Sequence, residues 1–384
     1  MNNETNRTSI MEVLDNYFPQ REVIKINKTS YILMTIESLA RIKSFSDYFI
    51  NNNTIKKEEN EISGEFKDYM EKLRSNEKLK PIDFIKNLMK NDTNKKLSLN
   101  QELEPYIFYD FILETLNNEL NEKDPNITEY FNNFAKKYDK DNELKNFMED
   151  YVKENHSIVS KTFNGILKII SSCDLCHEDE KTENKIFNVI DININDFCNN
   201  RNLEGYSLTN FSIEDLIEFY FEERKEEIKG KKCPVCEKKG KTIEEKTIKK
   251  KIIELPNFLI FRINWGKFEA NKGFKPDIEY IKPGYEYLDV DEIIEIKKKY
   301  FNNKAYNDNN EIKDSIKFQL FSVIGYFFDD RKEDISKHRL VFINKYRTND
   351  GKWFNFWCNG KGEEKLNYTD NFTVPCLLFY VKIN

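Results

Sequence analysis

Two pairs of cysteines are the residues of this chain best spaced for chemistry. Cys173-Asp-Leu-Cys176 is one C-x2-C pair, and Cys233-Pro-Val-Cys236 is the other, followed by Gly240. Each spacing folds into a tight knuckle that aims two thiolates at one point. Two knuckles complete a tetrahedral four-sulfur shell, which suits zinc. All four positions are filled by protein, so the expected site is one structural Zn2+ held by Cys173, Cys176, Cys233 and Cys236. Coincidence among seven cysteines, or simple burial of small apolar side chains, is the competing reading. Two such pairs in a chain without a secretory signal argue against it. His177 is an alternative ligand. Cys198, Cys358 and Cys376 have no partner pattern. Lys231, Lys232, Lys238, Lys239 and Lys241 crowd the second knuckle, so a nucleic-acid-binding zinc ribbon is a rival; Glu178, Asp179, Glu180 and Glu237 dilute that charge.

A hydroxyl near the N-terminus raises a second question. In INKTSYILMTIESLARIKSF, residues 26–45, Ser30 stands just before an apolar stripe of Ile32, Leu33, Ile36, Leu39 and Ala40 at helical spacing. Thr29 or Ser30 suits the N-cap of that helix, where a hydroxyl accepts a bond from a free backbone N–H. Taken alone, capping outweighs any catalytic role for Ser30.

The elements that must position these residues follow from composition and periodicity. The chain has 384 residues, 39% hydrophobic and 14% aromatic, ample for a core. Its 61 basic and 67 acidic residues give a net charge of −6, without the basic excess of a nucleic-acid binder. No run is long and apolar enough for a transmembrane helix. The start, MNNETNRTSIME, carries no secretory pattern. An intracellular protein, in the cytoplasm or nucleus, is expected, with thiols or metal ligands rather than disulfides.

Residues 1 to about 160 read as mostly helical, with helices over 30–49, 81–89 and 104–121; the runs 51–60 and 90–100 read as loops. From about 160 the texture changes to Ile, Phe and Val. The stretches 161–173, 185–194 and 246–263 read as strands. So do 318–328, 338–346, 352–358 and 374–383, as successive strands of an antiparallel sheet. Helices first and strands later predict an α+β protein.

The order of these pieces resembles the ubiquitin-specific protease family of ubiquitin carboxyl-terminal hydrolases, from about residue 24 to 383. KTSYILMTIESLARIKSFSDYF resembles its cysteine box, and PYIFYDFILETLNNELN its second thumb helix. TFNGILKIISSCDLC resembles the Phe-x-Gly strand that leads to the first zinc pair, and IIELPNFLIFRI the Leu-Pro strand of the palm. FQLFSVIGY, HRLVFINKY, KWFNFW and VPCLLFYVK resemble the family's closing strands, the His box among them. The resemblance implies a papain-like fold with helical thumb, β-sheet palm and zinc-binding fingers. It divides the chain into an N-terminal extension (1–22), a thumb (23–160), and fingers with palm (161–384).

The same resemblance places the family's catalytic positions on residues that depart from its pattern. Ser30 falls at the nucleophilic cysteine, where a helix N-terminus favours a thiolate; a serine there stays protonated and needs a well-set base. His338 falls at the base, though a histidine on a solvated strand edge reads as well. The family's Gly-His-Tyr is here Lys337-His338-Arg339, and the two cations oppose an imidazolium. Lys25 replaces the asparagine that donates to the oxyanion, and Asn27 replaces a glycine. Trp357 stands where an Asp or Asn orients the histidine, followed by Cys358 and Asn359; indole cannot accept that bond. In a serine protease, loss of the orienter costs about 10⁴ in kcat. Ser30 therefore reads as a former nucleophile position that now serves as a helix cap. The expectation is an inactive member that binds ubiquitin or a ubiquitin-like protein, or scaffolds a larger protein complex, with neither membrane nor nucleic acid as partner. One alternative is an active thiol-type deubiquitinase, or an artificially inactivated one, cleaving the isopeptide bond at the ubiquitin C-terminus. Another is a zinc-containing scaffold without ubiquitin binding.

Overall fold

The computed structural model describes residues 29–55, 62–74, 81–93, 95–99, 103–121, 141–176, 181–202, 211–227, 233–239, 245–269, 273–276, 288–302, 314–327, 341–347, 351, 353–356 and 373–383. Helices dominate before residue 164, as α1 (Ser30–Ala40), α2 (Lys43–Asn51), α3 (Ile62–Arg74), α4 (Ile82–Asn91), α5 (Pro105–Glu119), α6 (Asn142–Glu154) and α7 (Ile158–Phe163). All residues of α1 are buried, and it packs against α5 and the later strands Ser315–Phe327 and Val341–Arg347. Two of its hydroxyls bond back within the helix: Thr35 Oγ1 donates to the Tyr31 carbonyl at 2.8 Å, and Ser38 Oγ, which also lies 2.9 Å from Ser322 Oγ, to that of Met34 at 3.1 Å. Such i−4 bonds let small polar residues sit in a dry helix.

The expected single helix over 30–49 is two. Arg41 keeps helical angles, but Ile42 turns extended at φ −79°, ψ 99°. Neither Gly nor Pro marks the break. Packing decides it, because the turn carries Phe45 and Phe49 into an aromatic cluster, Phe45 at 5.2 Å from Phe163 and Phe49 at 4.8 Å from Phe66. The expected cap also shifts. Ser30 is the first helical residue, and Thr29 holds the cap position at φ −119°, ψ 16° without a side-chain capping bond. A capping side chain needs extended backbone to reach back to the free N–H groups.

The strands form two main sheets. In the four-stranded sheet, β1 (Gly165–Cys173) lies between β2 (Lys181–Phe187) and β6 (Glu245–Glu254), with β5 (Arg224–Glu227) beyond β6, all antiparallel. The seven-stranded sheet runs β14 (Trp353–Phe356), β13 (Val341–Arg347), β12 (Ser315–Phe327), β15 (Thr373–Ile383), β7 (Phe258–Asn264), β3 (Ile190–Asn193), with β11 (Ile293–Lys297) also on β12. Its pairings are antiparallel except β3 with β7. The closing strands are therefore antiparallel as expected, although β15 returns to the far side of β12 instead of extending from β14. Two small pairs, β4 (Phe211–Ser212) with β10 (Leu288–Asp289) and β8 (Gly266–Glu269) with β9 (Gly273–Pro276), complete the strands. Helices α8 (Ile194–Asn200), α9 (Ile213–Phe221) and α10 (Pro234–Lys238) interrupt them.

Three expected strands change their bounds. Lys161–Phe163 belong to α7, so β1 starts at Gly165. The runs 185–194 and 246–263 each split, the first half pairing in the four-stranded sheet and the second in the seven-stranded one. Pro256, which has no N–H to donate, marks the second split. Tyr109 OH pins the first by donating to the Asn188 carbonyl at 3.0 Å.

Candidate functional site

The cysteine quartet is built by strand register. β1 reaches its end with Cys173 opposite Lys246 of β6. Asp174 fixes the turn that follows, accepting from Lys225 Nζ at 2.7 Å and Thr247 Oγ1 at 3.0 Å. Cys233 caps α10 with Pro234 at its first position, where a missing N–H costs nothing. The knuckles meet with Cys173 Sγ 3.8 Å from Cys236 Sγ and Cys176 Sγ 3.6 Å from Cys233 Sγ, all four sulfurs lying within 4.8 Å of one another. Four sulfurs bonded at ~2.3 Å to one tetrahedral ion stand ~3.8 Å apart, so the spacing fits a bound metal. Cys173, Cys233 and Cys236 are buried; Cys176 is half-buried.

Electrostatics favours a cation here. Burial pushes the Cys173 thiol up, but the backbone N–H groups of Cys176 and Leu175 bring it down to about 7. Burial and contacts with the three neighbouring thiols push Cys236 up to about 12. Thiols this close cannot all ionise without a positive charge between them. Cys198 and Cys376 stand apart in the core. Burial raises both thiols, Cys198 to about 11, and Cys376 donates to the Ile324 carbonyl. Cys358, His177 and Gly240 lie outside the described residues, as do Lys231, Lys232 and Lys241. Lys238 and Lys239 are exposed on and just after α10.

Of the four expected catalytic positions, Ser30 is described and is fully buried at the start of α1. Its neighbour Tyr31 is locked by loop 95–99: Tyr31 OH donates to the Ser98 carbonyl and accepts from the Ser98 N–H, each at 3.0 Å. Lys25, His338 and Trp357 lie outside the described residues, with Asn27, Lys337, Arg339 and Asn359. The strands adjoining two of them are described. β13 begins three residues after His338, β14 ends one residue before Trp357, and the two pair with Asn344 opposite Phe356. β13 packs on α1. Trp353 Nε1 donates to Glu292 at 2.9 Å, tying β14 to the start of β11.

Sequence reasoning missed an ion cluster that joins the helices to the seven-stranded sheet. Arg262 of β7 donates to both carboxylate oxygens of Glu104, at 2.7 and 2.6 Å, and to Asp191 of β3 at 2.9 Å. Its guanidinium also stacks 4.3 Å from the Tyr106 ring centroid. Burial pushes the Glu104 carboxyl up, against the pull of Arg262. Burial works against charge on Arg262 too, but Glu104, with Asp191 and Tyr106, outweighs it. The available signal was a charge, Arg262, inside the apolar strand FLIFRIN.

The sequence model of the ubiquitin carboxyl-terminal hydrolase family matches residues 23–358. The chain belongs to that family. Its fold is that of solved ubiquitin-specific proteases. The SAGA Ubp8/Sgf11/Sus1/Sgf73 DUB module bound to ubiquitin aldehyde matches with a TM-score of 0.63 at 15% identity, over 98% of this chain and 73% of that one. A yeast SAGA DUB module matches with a TM-score of 0.63 at 13% identity, over 97% and 71%. A SAGA DUB module bound to monoubiquitin matches with a TM-score of 0.61 at 16% identity, over 95% and 70%. A sequence comparison with curated proteins finds no match.

In this hydrolase family's terms, the helices α1–α7 form the thumb, the seven-stranded sheet the palm, and the four-stranded sheet with the quartet the fingers. Gly165, the glycine of the Phe-x-Gly motif, shows why the fingers' root needs that residue. A Cβ there would lie 2.5 Å from the Phe187 ring and 2.7 Å from the Glu254 carbonyl oxygen. The Arg262–Glu104 pair spans from palm to thumb. Among the described residues, no helix is long and apolar enough to cross a membrane.

Proposed function

We propose that this ubiquitin carboxyl-terminal hydrolase domain is a pseudo-deubiquitinase that binds ubiquitin, or a ubiquitin-like protein, without cleaving it. The observation that carries the reading is Ser30: a hydroxyl at the nucleophile position, fully buried at the N-terminus of α1. A helix N-terminus lowers the pKa of a thiol into the useful range but leaves a hydroxyl protonated. Lys25 offers a long flexible donor where preorganisation matters most, and Trp357 offers no acceptor to orient His338.

Binding rests on the retained thumb, palm and fingers, and on the family likeness to DUB modules solved with ubiquitin aldehyde and monoubiquitin. Those modules carry further subunits, and a scaffold role in a larger complex is the matching reading for this chain. Cys173, Cys176, Cys233 and Cys236 would hold one zinc ion, which supplies a structural cross-link and no catalytic step. The division follows the same reading, with an extension over 1–22, the thumb over 23–160, and fingers with palm over 161–384, in the cytoplasm or nucleus. A fluorogenic ubiquitin cleavage assay paired with a ubiquitin binding titration tests it. Binding without turnover is the expected result. Turnover removes the pseudoenzyme reading, and absence of binding leaves a zinc-containing scaffold.

A further inference from the structure

The quartet has an asymmetry that the metal reading does not use. Cys176 is half-buried while Cys173, Cys233 and Cys236 are buried, and Leu175 beside it is 51% exposed, so solvent reaches this corner of the site first. Cys236 touches all three other thiols, and the contacts at 3.8 Å and 3.6 Å run across the knuckles, from the turn after β1 to the α10 segment. Metal-free thiols so placed are set to react with one another.

We infer that, once the metal is lost, the quartet oxidises to two cross-knuckle disulfides, Cys176–Cys233 and Cys173–Cys236, which hold the fingers in place of the ion. The inference rests on the metal reading above. With hydrogen peroxide as oxidant, the Cys176 thiolate attacks one peroxide oxygen, the O–O bond breaks, and hydroxide leaves. Cys176 becomes a sulfenic acid. The Cys233 thiolate then attacks that sulfur, the S–O bond breaks, and the hydroxide released takes a proton to leave as water. Each pair thus gives up two electrons and two protons to one peroxide and yields two waters. Cys173 and Cys236 follow with a second peroxide. A dithiol reductant reverses both bonds by exchange and restores the four-thiol site. The cross-links close long stretches of chain, 173 to 236 and 176 to 233, and long closures constrain the unfolded chain most.

The test uses the full chain, stripped of metal by a chelator, treated with peroxide, and digested without reduction for peptide mass spectrometry. Linked peptides joining Cys176 to Cys233 and Cys173 to Cys236 are expected. The oxidised form should melt above the metal-free reduced form, and should fail to take up zinc until dithiothreitol is added. Cys176→Ser should remove the first link and keep the second. Where the stripped protein does not stay folded, peroxide is added to the metal-bound protein and zinc release is followed with a chromogenic chelator beside the same mapping. Disulfides within knuckles, links between molecules, or sulfinic acids without disulfides would overturn the inference. A folded protein that carries no zinc as purified would instead defeat the metal reading, independently of the disulfide map.

Discussion

Arg262, in strand β7 of the seven-stranded sheet, holds Glu104, the residue just before α5, by two hydrogen bonds of 2.7 and 2.6 Å. The Glu104 side chain is 3% exposed and that of Arg262 17%, so this pair has little water to fall back on. Removing one partner strands the other. Arg262→Ala should destabilise the domain by roughly 3–5 kcal/mol, whereas the joint change Arg262→Met with Glu104→Leu should cost much less, because a buried pair can be replaced by apolar packing. Urea unfolding of the two variants and wild type measures the difference.

The same site carries a pH signature. Burial already holds the Glu104 carboxyl above its ordinary 4.5, and without Arg262 it rises further. A carboxyl with a raised folded pKa takes up a proton on folding. Its ionisation then opposes folding, and stability falls as pH rises from the unfolded value through the folded one. The deficit of Arg262→Ala should therefore be smallest near pH 4 and grow toward pH 7. Unfolding midpoints at pH 4, 5.5 and 7 check this, and a deficit that shrinks with rising pH would contradict it.

Gly165 gives a packing prediction. A methyl group there meets the Phe187 ring and the Glu254 carbonyl oxygen, and the backbone carbonyl cannot swing aside as a flexible side chain would. Gly165→Ala should destabilise by about 1–3 kcal/mol, the range for overpacking. Gly165→Ala combined with Phe187→Leu should recover part of the loss in thermal melts.

Metal removal tests the fingers. One zinc per chain is expected by metal analysis. Cys233→Ser should release it and lower Tm, because binding of a structural metal is coupled to folding. The variant should not respond to added zinc as wild type does after chelation.

Much of the architecture was legible before the structure. The apolar stripe of α5, the long β15, and the two C-x2-C pairs each carry a local signal that burial then uses. The α3 stripe Ile62, Phe66, Tyr69, Met70 and Leu73 carried one too, and was missed. What the chain hides is where it changes partners. Residues 185–194 and 246–263 each read as one strand, yet each crosses from fingers to palm, and a period-two pattern cannot say which sheet a strand joins. The break at Arg41–Ile42 and the Glu104–Arg262 pair are likewise decided by contacts between residues far apart in sequence. For Ser30 the family resemblance proposes the nucleophile position, while its burial was visible only in the fold.

Ser30 is expected not to work as a nucleophile. A thiol alone should not restore the site, because Lys25 and Trp357 remain, and losing one oxyanion donor typically costs about 10²–10³ in kcat. Catalytic groups act as a unit, so partial repair gives little. The measurement is hydrolysis of a fluorogenic ubiquitin substrate by wild type, Ser30→Ala, Ser30→Cys, and the triple variant Ser30→Cys/Trp357→Asp/Lys25→Asn. No turnover is expected from the first three, and measurable turnover from the triple variant alone. Robust turnover by wild type that Ser30→Ala abolishes would show a working serine nucleophile and overturn the pseudo-deubiquitinase reading.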